Sequence, residues 1–514
     1  MSEKRELRHL ALSLDDYPVG NGMKPFLKSV VEGTTVDLRT PLFNGDPRRD
    51  ILDDWADILF EGDGLPGDMT IIEYEQMANA GSKSIRAPLN DRLPGIREYW
   101  TSFKEGVGQF AMPPLRQNNH LRALSFEQAV ERMKLNTNSG WPHFTVRNRV
   151  IDESIALASG ISLELPAILG WRGQSAGLDS EFDPKQRTVW MYPFSLNIKE
   201  MSLFGPLQHW LLSNRPYGEM LSAWRTPSDV DRAVHDLLIR ADLREDSVIV
   251  SADFSSFDQT IGPNLSRPIY EFMQRIFSQA EEETIDDLWH TMHNIELVIS
   301  PADKLSGTHG ISSGSVFTNL VDTLVQFNLT KAVIPLEDHA PQFQGDDGLF
   351  IVQEDLLDQY FTGMENFGLK VSPDKTNISD NDCMYLQRYY TRHHLDGRHG
   401  IYPTMRALNS LISQERHFNP KLWGPEMVIL RSIMILENCK YHPKFREFVA
   451  YVMSGDRYRL GAKLPNGVSD ITASQGLLSK AEDIAGFVPS YNQEQRIAGI
   501  HRFETVRIIQ ELGG

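Results

Sequence analysis

Phe343-Gln-Gly-Asp346-Asp347-Gly-Leu-Phe-Ile-Val352 reads as two extended arms around a Gly-Asp-Asp-Gly turn, a strong hairpin signal. Upstream, Ser247-Val-Ile-Val-Ser-Ala-Asp253 is a short, β-branched apolar strand that ends in a carboxylate, and Asp258 follows five positions later. Helical spacing is expected over 50–60, 125–135, 203–212, 267–280 and 315–330. After Pro403 the pattern turns mostly helical, with a loop at Lys463-Leu-Pro-Asn-Gly-Val. The first hundred residues, rich in Asp, Gly and Pro, read as an irregular extension with short helices and no core of their own. The fold class is therefore α+β, with a helical final hundred residues.

Asp253, Asp258, Asp346 and Asp347 carry the chemistry. Strand ends and tight turns hold carboxylates rigidly with their oxygens open. Taken alone, an Asp-Asp pair in a turn is an ordinary solvated turn. An acid ending a buried strand is different, because it must find a cation or several donors. Mg²⁺ takes near-octahedral oxygen ligands, commonly one or two carboxylates plus substrate phosphates. Two such ions about 3.5–4 Å apart clamp the attacking and leaving oxygens of a phosphoryl transfer.

Composition bounds the alternatives. Lys and Arg number 51 against 69 Asp and Glu, a formal charge of −18, which argues against nonspecific coating of nucleic acid while allowing an enclosed basic channel. Hydrophobic residues at 41% and charged residues at 23% exclude disorder as the main state. The best apolar run, Met427 to Cys439, is broken by Arg431, so no membrane partner is expected. Two cysteines, Cys383 and Cys439, exclude a disulfide framework and a thiolate zinc cluster and suggest a reducing compartment. The charged N-terminus is not followed by a signal-peptide apolar region, so the sequons at Asn264, Asn328 and Asn377 are read as chance.

The order of motifs along 137–390 resembles a viral RNA-dependent RNA polymerase, most like those of the picobirnavirus and partitivirus group of segmented double-stranded-RNA viruses. Ser251 to Asp258 resembles the family's first palm motif, and Ser313-Gly-Ser-Val-Phe-Thr318-Asn319-Leu-Val-Asp322 the second. Gly345-Asp346-Asp347 is similar to the third, Gly368 to Thr376 to the fourth, and Tyr385-Leu-Gln-Arg388-Tyr to the fifth. Lys185-Gln-Arg187 resembles the basic fingertip motif, and Thr137-Asn-Ser139-Gly140-Trp141-Pro142 the template-entry motif.

The resemblance implies a closed right-hand polymerase whose antiparallel palm sheet is backed by helices. It implies template-directed RNA synthesis from NTPs, in replication and transcription of a viral RNA genome, with two Mg²⁺ ions for which Mn²⁺ can substitute. Asp253, Asp346 and Asp347 would hold metal. Lys375 would be the general acid toward pyrophosphate. Lys185 and Arg187 would grip the triphosphate. Asp258 would face the ribose 2′-OH, with Ser313, Gly314 and Thr318 also in the NTP site. The second motif departs from the pattern of many positive-strand relatives, with Asp322 where Asn is common. A protonated Asp322 could donate to Asp258, or Asn319 could take that part. Ser139, Gly140, Trp141, Pro142 and Arg388 would touch RNA. The expected division is 1–110 as an extension bridging fingers and thumb, 111–240 fingers, 241–261 palm, 262–296 a fingers insertion, 297–405 palm and 406–514 helical thumb. Expected partners are single-stranded template, nascent duplex, NTPs and a capsid protein, with the virion interior and host cytoplasm as location.

Other constellations carry less. Gly310-Ile-Ser312-Ser-Gly314 fits the hydrolase elbow pattern, but no tight strand precedes it. His393, His394 and His399 surround a turn and lack a second ligand set, and no Walker-type loop occurs.

Overall fold

The computed structural model describes residues 22–35, 39–62, 64–80, 85–86, 93–108, 110–112, 121–160, 165–173, 186–300, 303–336, 341–371, 376–414, 423–473 and 499–513. Four helices occupy the first part: α1 (Met23–Glu32), α2 (Arg48–Leu59), α3 (Met69–Ala78) and α4 (Leu93–Thr101). Next come α5 (Phe126–Glu131), strands β1 (Ala167–Gly173) and β2 (Gln186–Met191), then α6 (Phe194–Ser213) and α7 (Pro227–Asp242). The middle holds β3 (Ser247–Ala252), α8 (Pro263–Ile276), α9 (Glu282–Asn294), β4 (Leu297–Ser300), β5 (Asp303–Leu305) and α10 (Thr318–Val333). There follow β6 (Gln342–Gln344), β7 (Asp347–Gln353), α11 (Leu357–Asn366), β8 (Asn377–Ser379), β9 (Asp382–Tyr385) and β10 (Arg388–Thr391). Later longer helices are α12 (Thr404–Ile412), α13 (Pro425–Glu437), α14 (Phe445–Gly455) and α15 (Glu504–Gly513).

β3 and β7 form the middle of a four-stranded sheet ordered β8-β3-β7-β6, antiparallel throughout. Successive side chains go to opposite faces. Val248, Val250, Phe350 and Val352 enter one cluster with Ile269 and Phe272 of α8, Leu320 and Leu324 of α10, and Tyr360 of α11. Ile249, Leu349 and Ile351 enter another with Val234, Leu237 and Leu238 of α7 and with Cys383 and Tyr390 of the β9–β10 hairpin. With both faces covered, β3 reads as a continuous apolar run instead of alternating. The expected hairpin is β6–β7, turning through Gly345 and Asp346.

A second sheet is ordered β2-β1-β4-β5, with β1 and β4 parallel. Leu297 and Val298 of β4, expected in the palm unit 297–405, pair with Ala167 and Ile168 of the second sheet, and β5 pairs with β4. Helix α7, expected among 111–240, packs on the central sheet. Helix α8, expected in the insertion 262–296, also packs into the central core.

The described helices of the first hundred residues pack into cores shared with later elements. Met23, Leu27 and Val30 of α1 pack with Ala167 to Leu169 and Leu297 to Ile299 of the second sheet. Leu52, Trp55 and Leu59 of α2 pack instead with Leu408 of α12, Ile433 of α13, Phe448 of α14 and Val506 of α15.

Candidate active site

The antiparallel register places Ala252 opposite Gly348, and Gln344 opposite Asp347. Asp253, one residue beyond β3, therefore emerges at the sheet end where the Gly345–Asp346 turn and Asp347 lie. Gly345 has φ of 67°, a backbone conformation that favours glycine.

Helix α10 anchors this turn. Its Thr323 hydroxyl accepts from the Gly345 N–H at 2.8 Å, and the Gln326 amide donates to the Asp346 carbonyl at 3.0 Å. Asn319, Asp322, Thr323 and Gln326 recur at i, i+3, i+4 and i+7, so they form one polar stripe along the helix. Asp322 is hydrogen-bonded to Asp258. Burial, reinforced by the neighbouring charges of Asp258 and Asp346, pushes its carboxyl well above the usual range, so Asp322 is the proton-bearing partner. Asn319 Oδ1 accepts from the Trp224 indole at 3.1 Å.

The segment carrying Asp258 is tied to two neighbours. Its carbonyl accepts from the Ile311 N–H at 2.7 Å, and the Ser255 N–H donates to the Lys370 carbonyl at 2.9 Å. Ser313 Oγ accepts from the Trp190 N–H of β2 at 3.3 Å. A Cβ on Gly314 would lie 2.0 Å from the Trp190 carbonyl, so only glycine permits this approach. The turn thus sits directly on the strand that carries Arg187, whose backbone pairs with Arg172. The Thr318 hydroxyl, expected toward nucleotide, instead donates to the Ser312 and Ser315 carbonyls at 2.7 and 3.1 Å and closes the turn on itself.

The residues expected to touch RNA lie within the packed protein. Ser139, Gly140, Trp141 and Pro142 are all buried, and the Ser139 hydroxyl is engaged by the Thr145 N–H at 3.1 Å. They shape a loop inside the protein. Arg388 is likewise buried, with Nη1 donating to the Gly400 carbonyl at 3.1 Å and its guanidinium over the Tyr402 ring. Lys185 and Lys375 lie outside the described residues, and of Arg187 only the backbone is described.

Glu200 and Asn197 of α6 were not legible as site residues. Glu200 is 2% exposed, accepts from the Ser315 hydroxyl and the Val316 N–H, and is pushed up to about 7 by burial. The polar start of α6 also explains why the helix runs ten residues longer than 203–212 suggests: Asn197 and Glu200 face protein partners, so they do not break it. Ser312 is fully buried against Tyr192 and the Met292 carbonyl, which excludes it as an exposed nucleophile. His399 bonds Asp231 and His394 the Tyr441 carbonyl, so these two imidazoles each have a protein partner.

Comparison with known proteins gives a consistent picture. A family model described as viral RNA-dependent RNA polymerase matches residues 176–451. The chain is 30% identical, over 95% of its length and 96% of the relative's, to a potential RNA-dependent RNA polymerase of human picobirnavirus (strain Human/Thailand/Hy005102/-). It is 25% identical over 57% of its length to the RNA-directed RNA polymerase of Cryptosporidium parvum virus 1 (strain KSU-1), covering 56% of that protein. The crystal structure of a human picobirnavirus RNA-dependent RNA polymerase superposes with a TM-score of 0.81 at 28% identity, covering 97% of this chain and 99% of that one. Agreement across nearly the whole chain, in sequence and in fold, makes this protein a member of the viral RNA-dependent RNA polymerases, enzymes of RNA synthesis.

Proposed function

We propose that the chain copies an RNA template from NTPs by two-metal nucleotidyl transfer at the end of the central sheet, within a closed right-hand arrangement. The observation that carries this reading is the convergence of β3 and the Gly-Asp-Asp turn at one sheet end, beside the Asp258–Asp322 pair. Asp253, Asp346 and Asp347 offer oxygen donors of the type that hard divalent cations take. Among the described residues no three His, Cys, Asp or Glu side chains could hold an ion by themselves. The donor set therefore fits ions completed by triphosphate oxygens, Mg²⁺ with Mn²⁺ as substitute. Such ions, when bound, would stabilise charge on the attacking and leaving oxygens. Arg187 and Lys185 grip the triphosphate, Ser313 and Gly314 line the nucleotide site, and Lys375 protonates the departing pyrophosphate. Asp258, receiving a hydrogen bond from Asp322, keeps an oxygen for the ribose 2′-OH, which favours ribonucleotides over a reverse-transcription reading.

In this reading the central sheet with α7, α8, α10 and α11 is the palm, the second sheet belongs to the fingers, and α12 to α15 form the thumb. Helices α1 and α2 then link fingers to thumb, as their separate clusters suggest. Template strand, nascent duplex and a capsid protein are the partners, inside a virion and in the host cytoplasm.

The test incubates purified protein with single-stranded RNA, four ribonucleotides and Mg²⁺ or Mn²⁺, and sizes the products. Template-length RNA is expected from the wild type and none from Asp346→Ala, which should still bind RNA. Wild-type elongation by Asp346→Ala would overturn the assignment.

A further inference from the structure

The Gly314–Val316 turn is gripped by two side chains of α6 one helical turn apart. The Asn197 amide donates to the Gly314 carbonyl at 3.1 Å. Glu200 accepts from the Ser315 hydroxyl at 2.5 Å and the Val316 N–H at 2.8 Å. Asn197 also donates to Glu200 at 3.1 Å, and Arg147 donates to Asn197 Oδ1 at 2.7 Å. A helix that needed only to pack would place an apolar residue at position 200. Burying a carboxylate is costly unless donors and a cation offset it, and here they come from the turn and from Arg147. The other titratable groups facing Glu200 are the Tyr192 and Tyr270 phenols, both kept neutral by burial.

The next residue back, Ser313, rests on the Trp190 N–H of the strand that carries Arg187. The grip of α6 therefore sets how the turn lies against that strand. We propose that Glu200, oriented by Asn197, is a positioning residue that latches the Ser313–Val316 turn against β2 for nucleotide capture. The latch is tightest when the carboxyl is ionised, because the carboxylate then accepts from the Ser315 hydroxyl and the Val316 N–H as charge-assisted hydrogen bonds, which weaken when it is protonated. Burial pushes that carboxyl up to about 7, with the Ser315, Val316 and Asn197 hydrogen bonds and Arg147 opposing, so the latch loosens as pH falls through neutrality. The inference rests on the turn being part of the nucleotide site.

The test compares wild type, Glu200→Gln and Asn197→Ala in single-nucleotide addition on a primed template. KM and kcat are read across about two pH units centred near neutrality. Hydrogen exchange of the turn amides is read in the free protein at one fixed pH. In the wild type, KM for the nucleotide should rise about tenfold from the alkaline to the acid end, the scale of one charge-assisted hydrogen bond, with kcat changing less. Glu200→Gln should hold KM near the acid-end value throughout, without the inflection. Asn197→Ala should raise KM everywhere and keep the inflection. Both variants should speed exchange at Val316. A Glu200→Gln KM that tracks the wild type overturns the proposal, whether or not protection at Val316 is lost. If the wild type makes no RNA, the nucleotide-site reading fails, and unchanged protection at Val316 would separately refute the grip.

Discussion

Asp322 and Asp258 cannot both be ionised at hydrogen-bond distance without large cost, and burial decides that Asp322 keeps the proton. An Asn at 322 could donate the same hydrogen bond. Asp322→Asn should therefore stay active with ribose selectivity intact. Asp322→Ala should lower the ratio of catalytic efficiencies for a ribonucleotide over its 2′-deoxy analogue by roughly tenfold or more. Asn319 already accepts from Trp224. If Asn319→Ala lowers the ratio while Asp322→Ala does not, the partner has been misassigned. His293 provides a pH prediction of a different kind. Burial pushes its imidazole down to about 4, with Nε2 on the Ser266 hydroxyl at 2.6 Å and Nδ1 on the His309 carbonyl at 3.1 Å. The unfolded chain takes up this proton near 6.5 and the folded one does not. Between those pH values the unfolded state binds more protons, so stability falls as pH falls. The apparent melting temperature should drop across that window, and the slope should be shallower in His293→Gln. An identical slope would show that other groups govern acid sensitivity.

At the scale of elements, two of the described helices receive buried glutamates from far along the chain at their N-termini. Glu73 of α3 is fully buried and accepts from the Thr404 N–H at 2.6 Å, the Thr404 hydroxyl at 2.8 Å and the Met405 N–H at 2.9 Å, capping α12. Glu437 of α13 does the same for α15 through Thr505. Pro403, at the local cap position of α12, makes no side-chain cap. Glu73→Ala leaves several buried donors unpaired and should destabilise the protein by about 3 kcal/mol, with Glu73→Gln costing less. Thermal melts of the two variants check this; equal melting for Ala and wild type would mean water replaces the carboxylate. These glutamates mark what the sequence could not reveal. β3 and the β6–β7 hairpin were readable because their signal is local: β-branched runs and a Gly-Asp-Asp turn. A cap supplied from position 73 to position 404 leaves no local pattern, since Glu73 looks like any helical Glu. The same holds for Arg388 and Ser139 to Pro142, whose residue types fit RNA contact but whose burial depends on packing. Asp322 was readable in part, because counting from Ser313 places it on the face that meets Asp258.

For the molecule as a whole, the charge of −18 repels a polyanion, so template binding must depend on local basic surface. Single-strand affinity should fall with salt with a log–log slope steeper than about −2, corresponding to three or more neutralised phosphates at about −0.7 each. Fluorescence anisotropy over a salt series reads the slope directly; a value near zero would show that no basic channel exists. The long reach of Glu73 has a different consequence. Helices α2 and α3 leave the ribosome early, yet Trp55 packs against Phe448, and Glu73 closes on Thr404 and lies 3.2 Å from His442. Their apolar faces have nowhere to go until the last quarter of the chain has been made. At translation speeds of about 5–20 residues per second that is a wait of tens of seconds, during which exposed apolar surface invites aggregation. Folding of this chain should therefore finish after release, with its earliest residues among the last to settle, and chains stalled before α14 should keep α2 open to protease.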